Sequence, residues 1–168
     1  MDDLVGEFRD LASYVRYLEG MAAFRGGVEA SLSGANIDEG QQGWRPGLIH
    51  RELADDIMDL GGRLPSRLPT FDPPTDDDSI LGVFYVLEGS SLGARVLMRR
   101  AVALGLSPER GARHLAAQAS RPGAWARLVT MIDGLSPAGL ERAARASRMT
   151  FAAAIEAFSG VDCRERAC

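Results

Sequence analysis

Apolar residues recur along most of this chain at spacings of three and four, the period of a helix laid against a core. Ser13 stands where a helix cap belongs, and Tyr14, Tyr17, Leu18, Met21, Phe24, Val28 and Leu32 follow at helical spacing. Gly34 to Gly43 is polar and glycine-rich, which predicts a loop. Pro46 suits the first turn of a second helix, in which Leu48, Ile49, Leu53, Ile57 and Leu60 continue to a stop at Gly61 and Gly62. The four prolines from Leu64 to Pro74 predict an extended connection. Asp76 to Asp78 supply acidic caps for an apolar helix expected to run to Gly105. Ser107-Pro108 and Ser136-Pro137 are two further start signals, and Arg121-Pro122-Gly123 breaks the chain between them. The last helix carries Leu140, Ala144, Met149, Ile155 and Phe158 and is expected to stop at Gly160. No segment alternates with period two, so the pattern predicts an all-α bundle of six to eight helices.

The helix after Asp78 holds glycines where a helix disfavours them. Gly82, Gly89 and Gly93 are spaced by seven and four residues, which puts all three in one narrow sector of the helix surface. Each interior glycine costs about 1 kcal/mol relative to alanine. Two readings explain that cost: another helix packs unusually close, or a flat ligand lies against the main chain.

The same helix carries a resemblance. Tyr85-Val-Leu-Glu-Gly-Ser-Ser-Leu-Gly-Ala-Arg-Val-Leu97 is similar to the distal-helix signature of bacterial heme oxygenases of the phytochrome-associated kind. Tyr14-Val-Arg-Tyr-Leu18, Glu29-Ala-Ser-Leu32 and Leu53 to Leu60 resemble that family's second and third helices. Pro122 to Leu128 and Thr150-Phe151 resemble its C-terminal helices, so the likeness extends over nearly the whole chain. It implies the heme-oxygenase-like bundle and a ligand face built from Tyr85, Gly89, Ser90, Leu92 and Gly93. In the family this helix bends over the heme, and Ser90 would stand in a network of polar groups and water. Ala94 replaces the second glycine of the usual pair. Arg95, Arg99 and Arg100, with Arg145 and Arg148 on the last helix, would be the residues to meet propionates.

The resemblance also locates a gap. The family holds heme iron through a histidine in its first helix, and Asp3 to Leu11 resembles the stretch just after it, so the ligand position falls before Met1. The two histidines of this chain, His50 and His114, lie elsewhere. A first helix reduced to a few turns around Leu4, Val5 and Phe8 would strip cover from Tyr17, Met21, Phe24 and Val28. Those four are therefore expected to form a contact surface for a homodimer or a signalling partner.

Composition narrows the remaining chemistry. The 168 residues suit a single domain, taken as residues 1–162 with a C-terminal tail at 163–168. With 19 basic residues, all arginine, against 23 acidic ones, the formal charge of −4 speaks against a dedicated nucleic-acid binder. No leader-like apolar run and no uncharged span of membrane length are evident, so a cytoplasmic protein is expected. Cys163 and Cys168 read as free thiols on the tail. No resident metal site is expected. His50 is followed by Glu52, Asp55, Asp56 and Asp59, but a di-iron site needs Glu-x-x-His pairs, and glycine stands three residues before each histidine. The acidic run reads as a solvated helix face, His114 as a partly exposed polar residue, and Trp44 and Trp125 as core or boundary anchors. Three functions stay open: an active heme oxygenase yielding biliverdin, carbon monoxide and ferrous iron; a non-catalytic relative that binds a tetrapyrrole or another ligand; and a regulatory interaction module. No cofactor is assured, and heme is the one that the resemblance suggests.

Overall fold

A computed structural model of the chain describes residues 8–34, 44–72 and 74–165. These form seven α-helices: α1 (Leu11–Gly34), α2 (His50–Asp59), α3 (Asp77–Gly89), α4 (Ala94–Ala103), α5 (Arg113–Ala119), α6 (Ala124–Asp133) and α7 (Pro137–Glu165). A single turn of 3-10 helix, Ser90–Gly93, joins α3 to α4. There is no strand among the described residues, as the period of the apolar positions predicts. Leu4, Val5, the loop over 35–43, Cys168 and the side chain of Cys163 lie outside the described residues.

Helices α1, α3 and α7 make the centre of the bundle. Gly82 marks the closest crossing, because a Cβ there would fall inside the Ala143 carbonyl of α7. Small residues of α7 face inward at Ala143, Ala146, Thr150, Ala153 and Ala157, which lets neighbouring backbones approach. Gly20 of α1 accepts the Phe158 ring, whose nearest atom would lie 2.7 Å from an added Cβ. Gly27 of α1 likewise meets the Pro69 carbonyl of the proline-rich connection, 2.6 Å from the same construction. Part of the glycine cost thus follows from packing.

Several boundaries differ from the expected ones. Pro46 does not begin a helix; α2 starts at His50, and residues 44–49 run as an irregular strap held by side chains of α1 and α3. Ser107-Pro108 opens a turn closed by Ser107 and Arg110 backbone hydrogen bonds, and α5 begins only after Gly111 (φ 77°). Ser136 does cap α7, accepting from the Gly139 N–H at 3.1 Å, and Asp76 caps α3 by accepting from Ser79 at 3.0 Å. Gly160 does not stop α7, which continues to Glu165. The helix expected to reach Gly105 is instead broken at Ser90–Gly93 by the 3-10 turn.

The expected contact surface on α1 is corrected. Tyr17, Met21, Phe24 and Val28 are all buried in the core. Phe8 packs on Tyr14 and Tyr17, with ring centroids 4.9 and 5.0 Å away, and Phe158 covers Tyr17 from α7. These side chains are covered within the chain, so they present no face to a partner. The α3–α4 run Asp77–Ala103 has the length and composition to cross a membrane, but half of its apolar window is buried within the bundle.

Candidate functional site

The bend between α3 and α4 gathers the residues that the sequence singles out. At Ser90–Gly93 the main chain tightens without leaving right-handed geometry: Gly89 has φ −58° and Gly93 φ −81°. Serine hydroxyls bond back to carbonyls there, Ser90 Oγ donating to Leu87 O and Ser91 Oγ to Glu88 O, each at 2.6 Å. These bonds to the carbonyl three residues back accompany the tightening from α to 3-10 geometry. Arg25 Nη1 of α1 reaches the same Leu87 carbonyl at 3.4 Å. Gln118 of α5 donates to Ser90 Oγ at 3.3 Å. The bend is thus pinned from two sides.

The three glycines have three different surroundings. Gly82 is filled by the α7 backbone. Gly89 lies beneath Trp125 of α6, whose ring would meet an added Cβ at 3.4 Å and stands 5.0 Å from the Tyr85 ring. Gly93 faces open space, with nothing within 4 Å of an added Cβ. Leu92 beside it is 59% exposed, Tyr85 and Arg95 are exposed too, and Ala94 is fully buried. Only the Gly93 end of the sector therefore leaves room for a ligand. Arg145 and Arg148 project from the exposed side of α7, whose close contact with α3 is at Gly82, seven residues before Gly89.

Two buried polar networks support the bend, and neither was expected. In the first, Arg25 is 1% exposed and pairs with Glu29 at 2.7 Å. It also donates to the Gly47 carbonyl, while Glu29 accepts from the backbone of Ile49 and His50. Glu88 of α3 accepts from the Gly47 N–H at 3.1 Å and pairs with Arg121 at 3.0 Å. Burial pushes the Glu88 carboxyl above its ordinary range, against the opposing pull of Arg121 and Arg25. Arg121 lies over the Trp44 ring, which is itself buried edge-on to Phe84. Two cations and two carboxylates thus balance inside the bundle.

The second network corrects the reading of His114 and of the acidic run on α2. His114 is fully buried, not partly exposed, and so is Asp56. Asp56 accepts from His114 Nδ1 at 2.8 Å, from the backbone N–H groups of Arg113 and His114, and from Arg113 Nη1. Asp59 pairs with Arg113 and accepts from the Gly111 N–H. One side of the run therefore caps α5 across the fold. His114 Nε2 lies 3.3 Å from the Tyr17 hydroxyl. Burial pushes the imidazole below its ordinary value of 6.5, only partly offset by Asp56. His50 packs against Gly26 of α1 beside Leu68, and its Nδ1 is buried without a hydrogen-bond partner.

The bundle has the heme-oxygenase fold, as comparison with known proteins shows. No protein-family model matches the chain. It is 36% identical over 96 residues to heme oxygenase PigA of Pseudomonas aeruginosa, a stretch covering 54% of this chain and 48% of that protein. The match therefore spans about half of the relative's length. The structure resembles the NO- and CO-bound heme oxygenase of Neisseria meningitidis with a TM-score of 0.68 and 25% identity, over 94% of this chain and 80% of that one. The chain is a relative of the bacterial heme oxygenases and has their all-α fold.

Proposed function

We propose that this chain is a non-catalytic member of the heme-oxygenase fold that offers the bent α3–α4 helix to a flat ligand but supplies no imidazole to iron. The state of its two histidines carries the reading. His114 is fully buried with both ring nitrogens engaged, Nδ1 by Asp56 and Nε2 by Tyr17. His50 packs on α1 at Gly26. No atom of either ring comes within 4 Å of an added Cβ at Gly93. Open space at Gly93 beside exposed Leu92 supports contact with one face of a flat ligand, while the bonding of His114 and the packing of His50 do not fit axial coordination of a metal.

Comparing hemin with iron-free protoporphyrin tests this directly. With no protein ligand to iron, the two should bind with dissociation constants within about threefold, and Gly93→Leu should weaken both. A coordinating imidazole would favour hemin by a hundredfold or more, since about 2.7 kcal/mol of differential binding already gives that factor. Such a preference would contradict the reading. A second reading, an active enzyme that converts heme to biliverdin, carbon monoxide and ferrous iron, is supported by the distal motif and the likeness to heme oxygenase PigA. It needs an axial ligand other than the two histidines as they stand.

A further inference from the structure

The histidine that is withheld from a ligand lies on the same helix as the residue that holds the bend. His114 and Gln118 are four residues apart on α5, so both point from one face of that helix, and both are buried. Asp56 is an acceptor on both oxygens when ionised, so Nδ1 of a neutral His114 carries the proton and donates to it. The Nε2 lone pair is then left to accept from the Tyr17 hydroxyl. Tyr17 keeps that proton, because burial pushes its phenol well above the ordinary range. In this state each side-chain polar atom of the trio has a partner.

We propose that neutral His114 is the positioning residue of the α3–α4 bend, seating α5 so that Gln118 fixes the Ser90 hydroxyl, and that protonation of the ring releases this arrangement. A second proton on Nε2 would confront the Tyr17 hydroxyl, which would have to turn round and lose its acceptor among Phe8 and Tyr14. The charged groups around the ring favour neither extreme. Asp56 and Glu52 on α2 stabilise a cation, Arg25 on α1 opposes it, and Arg113 on α5 is neutralised by Asp56 and Asp59. Burial outweighs them, so the neutral form rules at neutral pH and the release belongs to acid pH. His114 would hold the bend in this way whether or not a tetrapyrrole uses it.

Trp125 is a ready reporter, since its ring rests on Gly89, and Trp44 is the only other tryptophan. Fluorotryptophan NMR of the full chain should show the Trp125 signal moving through one midpoint below pH 6.5 while helicity by circular dichroism stays constant. His114→Asn, which can still donate to Asp56 but does not titrate, should abolish the movement. His50→Asn and Glu88→Gln should leave it in place, and Gln118→Leu should uncouple it from the histidine. Should His114→Asn fail to fold, imidazole NMR of the unaltered protein decides. His114 must then carry its neutral proton on Nδ1 and titrate with the midpoint seen at Trp125. A Trp125 transition that survives His114→Asn, a neutral proton on Nε2, differing midpoints, or no transition before unfolding would each overturn the proposal.

Discussion

At Gly82 and Gly93 one residue type serves opposite ends. A methyl at Gly82 would collide with the Ala143 main chain, and backbone cannot move aside as a side chain can. Gly82→Ala should therefore destabilise the fold by about 2 kcal/mol or more, in the range of overpacked cores. Gly93→Ala meets no atom and keeps a right-handed backbone, so it should stabilise by about 0.5–1 kcal/mol. Thermal melts of the two variants check both signs. Asp56→Asn removes a buried charge that satisfies four donors and should cost about 3 kcal/mol by chemical denaturation. None of this is legible from spacing alone. The seven-and-four interval marks the glycines as special, but which one packs and which one opens depends on α6 and α7, which come later in the chain.

The helices themselves were largely legible, because apolar periodicity, caps and breakers agree at Asp76, Gly61, Gly123 and Ser136. Misreadings arose where long-range partners override local signals. Pro46 looks like a helix start, but Arg25, Glu29 and Glu88 claim the backbone of the strap, and α2 starts four residues later. Arg25 and Glu29 are four apart on a helix whose other residues are largely apolar, the one sequence signal that a buried ion pair was coming. The acidic residues of α2 read as solvated because nothing nearby in sequence reveals that α5 needs a cap. Gly160 looks like a stop, but α7 passes through it with nothing within 4 Å of an added Cβ. Gly160→Ala should accordingly raise stability by about 0.5–1 kcal/mol, read as a higher melting temperature. A helix that truly ended there would gain nothing from the change.

Over the whole molecule the two buried networks set the response to acid. Burial lowers the His114 pKa from 6.5, so its share of stability is complete above that value and declines as pH falls below it. Burial would raise the Asp56 pKa, but hydrogen bonds from His114 and Arg113 lower it below 3.8, so its share persists to lower pH and is lost last. Urea midpoints should therefore hold steady from pH 8 to about 6.5 and fall below, with the fall eased where Glu88, whose carboxyl burial raises above 4.5, takes up its proton in the folded state first. His114→Asn should flatten the upper part of that fall. The same commitment of His114 to the core underlies the proposal that a heme-oxygenase fold here offers no histidine to iron. Absorption and electron paramagnetic resonance of the ferric hemin complex test it most directly. A weak complex is expected, without the Soret position and spin-state signature of imidazole-ligated heme, and that signature should be equally absent from His50→Ala and from His114→Asn, which keeps the donor to Asp56. A tight one-to-one complex with histidine-ligated spectra, lost in either variant, would contradict it.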